Sequence, residues 1–290
     1  MSFKEFGIDV SRWQGNFNFA QAKAEGVQFA IIKAGGGDDG LYKDSKYESY
    51  YKAAKQQGLN VGAYYFGKAK TVERAKVEAD HFISLLSGHQ FEYPVYYDVE
   101  GDMLKLGKEL LTQIIIAFCD RVEKAGYYSG LYTGEWAINN NVIDANLIHF
   151  THWIAKWAKT KPKCKSGAVV GIWQFGGSTN LIRDNHIAGV VCDQDYCYQD
   201  FPSAIKKLGL NGFPKPSPTP EPEPVKEYVI VTASSLNCRE EPSLSAKIIG
   251  AFYKGTKLEL LERDGDWDKV KGVNGDHDVI GYCYAKYLKG

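Results

Sequence analysis

The chain has no surplus charge of either sign: 35 Lys and Arg residues offset 35 Asp and Glu residues over 290 positions. A nucleic-acid binder normally carries a basic excess, so that class of partner is disfavoured. No run approaches the ~20 consecutive apolar residues that a membrane-spanning helix needs, so no membrane insertion is expected. The segment Met1-Ser2-Phe3-Lys4-Glu5-Phe6-Gly7 has no basic stretch followed by an apolar one, and synthesis in a cytoplasm without a signal peptide is expected. The six cysteines (Cys119, Cys164, Cys192, Cys197, Cys238 and Cys283) include no C-x-x-C pair, and a reducing compartment favours free thiols. The six histidines form no H-E-x-x-H pattern, so neither metal nor cofactor is expected.

Aromatic residues are plentiful, at 13% of the chain with 19 Tyr and 6 Trp. Rings fill cores well, and they also stack on the apolar faces of sugars. The length suits a barrel of ~200–250 residues plus a small module. The boundary is marked by Phe213-Pro214-Lys215-Pro216-Ser217-Pro218-Thr219-Pro220-Glu221-Pro222-Glu223-Pro224, whose alternating prolines exclude helix and central strand. At ~3.1 Å per residue such a spacer reaches roughly 40 Å. The expected organisation is a barrel over residues 1–212, a linker over 213–225 and a second domain over 226–290.

Before the linker, short apolar runs alternate with amphipathic ones. Phe6–Val10, Val27–Ala34, Leu59–Phe66, Tyr93–Glu100 and Tyr127–Thr133 read as strands. Segments near 18–25, 44–57, 71–86 and 110–125 read as helices, three of them followed at once by Gly. After Thr133 the helical signal fades. Phe150–Ala155, Ala168–Phe175 and His186–Asp193 complete eight expected strands, which suggests a parallel, closed α/β barrel.

The most informative stretch is Asp98-Val99-Glu100. Residues i and i+2 of a strand point the same way, roughly 6.5 Å apart. Two acids that close do not both ionise freely, so one should hold its proton near neutral pH. A protonated acid beside an ionised one is what glycosidic cleavage needs. A lone D-x-E could equally be a solvated strand end. The other strand ends argue for chemistry: Asp9, Lys33, Tyr64-Tyr65, Tyr132, Trp157, Trp173-Gln174 and Asp193 would gather on the C-terminal rim, where barrel active sites sit. Closure would bring Asp9 beside Asp193 and aim four carboxylates into one cleft, at a cost in mutual repulsion. The loop Gly35-Gly36-Gly37-Asp38-Asp39-Gly40 is not followed by Gly-Lys-Ser/Thr and is not read as a phosphate cradle.

Taken together and in order, these motifs resemble glycoside hydrolase family 25, the muramidases (lysozymes) of bacteriophages and bacteria. They are Gly7-Ile8-Asp9-Val10-Ser11, Trp13-Gln14-Gly15, Phe29-Ala30-Ile31-Ile32-Lys33-Ala34, Val61-Gly62-Ala63-Tyr64-Tyr65-Phe66, Asp98-Val99-Glu100, Leu131-Tyr132-Thr133, Trp153-Ile154-Ala155, Ile172-Trp173-Gln174-Phe175 and Cys192-Asp193-Gln194-Asp195-Tyr196. The resemblance implies a TIM-like (β/α)5β3 barrel. It implies hydrolysis of the β-1,4 bond between N-acetylmuramic acid and N-acetylglucosamine in peptidoglycan, with Glu100 as general acid. Asp98 would polarise the substrate's 2-acetamido group, the favoured reading, or attack directly. Asp9 and Asp193 would line the cleft floor. Tyr64, Tyr65, Lys33, Tyr132, Trp157, Trp173 and Gln174 would contact substrate, with Lys33 paired to a rim acid. One departure is Asp195, where the family usually has Asn; it would either add a fifth acid to the rim or point elsewhere.

Residues 226–290 alternate β-branched residues with turns. They resemble the bacterial SH3-like domain of wall hydrolases through Leu236-Asn237-Cys238-Arg239, Pro242-Ser243, Ile248-Ile249-Gly250, Lys254-Gly255-Thr256, Trp267-Asp268-Lys269-Val270 and Gly281-Tyr282-Cys283. The resemblance implies a small all-β barrel that binds wall peptide or crossbridge, with Asn237, Arg239, Trp267 and Tyr282 lining its groove. The whole would be an endolysin acting at the cell wall after release; a bacterial autolysin and an inactive wall-binding protein are the competing expectations.

Overall fold

The computed structural model describes residues 4–38, 40–215, 226–275 and 277–290. The expected linker therefore lies largely outside the described residues, as does Asp39. Two compact units divide the chain, Met1–Ser217 and Pro218–Gly290.

Eight strands close the first unit into a barrel: β1 (Glu5–Val10), β2 (Phe29–Gly36), β3 (Asn60–Phe66), β4 (Val95–Asp98), β5 (Ser129–Gly134), β6 (Thr151–Ala155), β7 (Val170–Gly176) and β8 (Asp193–Cys197). Neighbours pair in chain order, and β1 pairs with both β2 and β8. Helices α1 (Phe19–Ala24), α2 (Tyr47–Gln56), α3 (Val72–Leu86), α4 (Lys108–Lys124) and α5 (Glu135–Asn140) follow the first five strands, and α6 (Phe201–Leu208) follows the last. Side chains cap several of them: Asn18 accepts from the Gln21 N–H, Thr71 from Arg74 and Asp200 from Ser203, satisfying donors that the first helical turn leaves free.

The strand period of two sorts side chains into two cores. Phe29, Ile31, Tyr96, Trp153 and Ile172 fill the interior, with Phe201 and Ile205 of α6 packed against them. Ile8, Ile32, Val61, Tyr65, Tyr97 and Phe175 belong to the layer shared with Phe82 of α3 and Phe118 of α4. Interior space is tight. A Cβ on Gly7 would stand 2.4 Å from the Phe29 ring, so β1 admits only glycine there.

The structure corrects the expected eighth strand. His186–Ile187 and Val190–Val191 form a separate two-stranded hairpin, turning through Ala188 (φ 52°) and Gly189 (φ 75°). The closing strand is Asp193–Cys197, and it runs antiparallel to both β7 and β1. The barrel is thus not all parallel. The reason is topological: β7 delivers the chain to the rim where the parallel strands end, and no crossover helix carries it back. The next strand must start at that rim and run down. Asp193 opens its strand rather than ending it, yet it reaches the expected rim.

The second unit is a seven-stranded antiparallel sheet around Val229, Val231, Leu236, Phe252, Leu258 and Val270. Its strands include β9 (Glu227–Val231), β10 (Ser235–Arg239), β11 (Ile248–Tyr253), β12 (Lys257–Asp264), β13 (Trp267–Asn274) and β14 (His277–Tyr284).

Phe201→Ala should cost about 3–5 kcal/mol, as expected when a buried ring leaves a cavity. Urea unfolding of the barrel's far-ultraviolet dichroism measures it; a loss under ~1 kcal/mol would mean α6 does not seal the interior.

Candidate active site

Asp9, Asp98, Glu100 and Asp193 line one cavity of about 490 Å³ and also a smaller adjoining recess of about 190 Å³. Strand register explains the convergence. Asp9 on β1 lies directly opposite Asp193 on β8, while Asp98 on β4 pairs with Phe66 on β3 and Tyr132 on β5. Glu100 caps the end of that strand and opens to solvent, whereas Asp98 is buried.

The cluster raises the proton affinity of its members. Burial raises Asp98, reinforced by Glu100 and opposed by Lys33 and Lys68. Burial likewise raises Glu100, against the pull of Lys33 and Lys68. Asp193 is pushed up to about 6 by burial and by Glu100. Asp9 rises well above the usual carboxylate range through burial, Asp193 and Asp195. Lys33 and Lys68 supply positive charge that acts on Asp98 and Glu100. This division keeps Asp98 and Glu100 near their cations while Asp9, Asp193 and Asp195 repel one another.

Gln174 is the polar hub of the floor. Its Nε2 donates to Asp9 Oδ2 at 2.9 Å; its Oε1 accepts from Tyr132 Oη at 3.0 Å and from Trp157 Nε1 at 3.1 Å. Tyr64, Tyr132, Trp157, Gln174 and Lys33 all line the cavity or its recess. Lys33 does not form the expected ion pair: among the described residues no carboxylate lies within 4 Å of its ammonium. Instead its Nζ stands 4.3 Å from the Phe66 ring centre and 5.7 Å from that of Tyr64, and burial lowers its pKa.

Two expected contacts are corrected. Tyr65 is fully buried in the outer layer, its hydroxyl 3.0 Å from His81 Nδ1. Trp173 packs outward against Phe175 and Tyr196, donating to the Lys156 carbonyl at 2.8 Å. Both stand one position from an inward residue, and the alternation turns them away. Asp195 does not join the rim. It is buried below Asp193, where Trp153 Nε1 donates to its Oδ1 at 2.7 Å.

The structure adds residues to the site. Trp13, 76% exposed, and Tyr42 line the cavity on one side; Trp157, 42% exposed, flanks the smaller recess. Ser11 and Gln14 form a capping box around the turn Arg12–Gln14, and buried Asp44 accepts from the Arg12 N–H at 3.2 Å. Trp13 stands three residues beyond the end of β1, and that nearness to a strand end is the signal that could have placed it at the rim. Nothing in the sequence signalled Asp44.

In the second unit, Arg239 pairs with Tyr282 across β10 and β14, and Tyr282 with Lys269 across β14 and β13. Trp267 lies opposite Tyr284, ring centres 5.3 Å apart. Asn237, Arg239, Trp267 and Tyr282 therefore share the face opposite the buried Cys238, Val270 and Cys283.

The profile of glycosyl hydrolases family 25 matches residues 8–183, and that of the bacterial SH3 domain matches residues 234–289. The chain belongs to glycosyl hydrolases family 25. It is 30% identical over 179 residues to the autolytic lysozyme of Clostridium acetobutylicum, covering 61% of this chain and 52% of that protein. It therefore spans about half the length of that relative. It is 29% identical over 201 residues to the N,O-diacetylmuramidase of Chalaropsis sp., covering 61% of this chain and 93% of that one. Among solved structures, the CTP1L endolysin superposes with a TM-score of 0.60 at 24% identity, covering 70% of this chain and 69% of that one. The lysozyme of Streptomyces coelicolor gives 0.60 at 22% identity, covering 72% and 98%. Both share the fold.

A carboxyl whose pKa rises on folding stabilises the native state fully at low pH and loses that contribution as pH climbs through the folded value. For Asp193 the window runs from 3.8 up to about 6. Asp193→Asn should therefore melt higher than the parent at neutral pH and lose stability less steeply across that window. Melting curves at stepped pH check this; a variant whose stability changes across that window just as the parent's does would contradict the assignment.

Proposed function

We propose that the barrel is an N-acetylmuramidase, cleaving the β-1,4 bond between N-acetylmuramic acid and N-acetylglucosamine with retention of configuration. Membership of the family supports the reaction class. The observation that carries the residue roles is the meeting of Asp98 and Glu100 at one mouth with Asp9 and Asp193.

Glu100 is the proton donor. Burial raises its pKa, which favours the protonated form that a general acid needs, and its exposure lets water reload it after each cycle. Asp98 is buried, and its Oδ1 has no hydrogen-bond partner among the described residues. An orphan acceptor beside the acid suits the N–H of a 2-acetamido group, whose carbonyl then attacks the anomeric carbon as Glu100 protonates the leaving oxygen. Direct attack by Asp98 is the alternative and also retains configuration. Asp9, held by Gln174, and Asp193 line the floor and raise the proton affinity around them. Trp13 and Trp157 offer exposed rings on which sugars stack.

The second unit binds the wall through its Arg239, Tyr282 and Trp267 face, taking stem peptide or crossbridge. Joining two wall contacts in one chain makes the second intramolecular and lengthens residence on an insoluble polymer. The working context is that of an endolysin made in a bacterial cytoplasm and acting on the wall after release. The likeness to an autolytic lysozyme favours a second reading, a bacterial autolysin of the same activity.

Glu100→Gln should lower turnover by at least ~100-fold while leaving folding and wall binding unchanged; near-normal release of soluble muropeptides would remove Glu100 from its role. Early-time proton NMR of the product should show the β anomer, and an α product would exclude both routes. Deleting residues 213–290 should weaken sedimentation with walls but spare cleavage of soluble glycan; unchanged sedimentation would acquit the second unit.

A further inference from the structure

Cys238 on β10 and Cys283 on β14 face one another in the core of the second unit. Arg239 pairs with Tyr282 across these antiparallel strands, and one step along each strand, in opposite directions, brings Cys238 across from Cys283. Both are fully buried, and their thiols are hydrogen-bonded to each other. We propose that this pair is a site of covalent modification: a small-molecule disulfide oxidises it to a Cys238–Cys283 bridge once the chain leaves a reducing compartment, and the bridge staples the seam behind the Arg239 and Tyr282 face. The inference does not depend on the muramidase reading.

The backbone geometry permits the bond. Residues directly opposite in an antiparallel pair have Cα atoms about 4.5–5.5 Å apart, within the roughly 4.4–6.8 Å that a disulfide spans. Both side chains point to the same face, since both join the buried cluster with Leu236, Phe252 and Val270. Gly281 leaves room for the sulfur, because a Cβ there would stand 2.8 Å from Cys238 Sγ. The buried cysteines of the barrel are placed differently: the thiols of Cys119, Cys192 and Cys197 donate to the backbone carbonyls of Gly130, Asp9 and Gln199.

The seam is also where a staple has most to hold. Among the described residues, β10 and β14 pair only through Arg239 and Tyr282. By contrast, β13 and β14 pair continuously from Trp267–Tyr284 to Asn274–His277. A short ladder opens locally more readily than a long one. Opening admits the oxidant to thiols that are otherwise buried, and the bridge then closes that route.

The chemistry is thiol–disulfide exchange. Cys238 is the attacking thiol: donation from the Cys283 thiol and from the Arg239 N–H outweighs burial and lowers its pKa, which favours the thiolate. Its sulfur attacks one sulfur of the small disulfide, the S–S bond breaks, and the released thiolate takes up the proton that Cys238 lost. Cys283 then attacks the Cys238 sulfur in the mixed disulfide, and the second small thiol leaves with the proton of Cys283. Two cysteine thiols are thereby oxidised by two electrons, and one small disulfide is reduced to two thiols.

Full-length protein should be equilibrated first in reduced and then in excess oxidised glutathione, quenched with acid, and alkylated in denaturant. Peptide mapping should find Cys238 joined to Cys283, with the loss of two hydrogen atoms, in most oxidised molecules. Amide hydrogen exchange over β10 and β14 in the intact chain should slow at least about tenfold on oxidation and recover on reduction, while exchange in the barrel strands stays unchanged. Cys238→Ala and Cys283→Ala should each abolish both the crosslink and the slowing. The parent alone carries the first two readouts, so a variant that fails to fold leaves the test intact. Free thiols at both positions after oxidation, a stable glutathione adduct on one of them, or a crosslink to another cysteine would overturn the proposal. So would a bridged protein in which β10 and β14 exchange as fast as in the reduced one.

Discussion

The antiparallel pairing of β8 with β1 sets Asp9 directly across from Asp193, and the rest of the site depends on it. Parallel closure would have sent the start of β8 to the opposite end of the barrel and left the mouth with Asp9, Asp98 and Glu100 alone. Because the last strand runs down from the rim, Asp193 enters beside Asp9 and Asp195 follows two positions deeper. The barrel thus carries a column of acids along one seam. Burial and repulsion raise their proton affinity, and the fold tolerates the column because Gln174 and Trp153 each supply a hydrogen-bond donor.

Two lysines work in the other sense. Lys33 and Lys68 both stand close to the Phe66 ring, at 4.3 and 4.5 Å from its centre, and both draw on Asp98 and Glu100. A mouth lined only by acids would hold every proton tightly. One lined by matched pairs would hold none near neutral pH. The cations oppose the rise that burial gives Glu100, which moderates its hold on a proton.

Much of this was legible in the residues alone. The order of strands, the D-x-E pair and the meeting of four acids follow from periodicity and from where barrel strands end. What the sequence left open was parity at the aromatic doublets. Tyr64-Tyr65 and Trp173-Gln174 each offer two plausible inward residues, and only pairing with a strand of known facing decides between them: Tyr64 sits beside inward Tyr96, whereas Trp173 sits beside outward Ile154. The direction of β8 was hidden for a different reason. Ile187 to Val191 is apolar enough to be a strand, and the reversal at Ala188-Gly189 shows no proline or asparagine to announce it. Contacts that join distant segments, such as Asp44 to Arg12 or Glu78 to Lys68, have no local signature at all.

Gln174 carries a liability that its neighbours do not. Only an amide offers both a donor for Asp9 and an acceptor for Tyr132 and Trp157. Deamidation would exchange that donor for a lone pair and add another negative charge to a crowded seam, while altering the side chain by scarcely one atom. Loss of this one amide would therefore unbalance the floor of the site while leaving the packing of the barrel around it unchanged in volume.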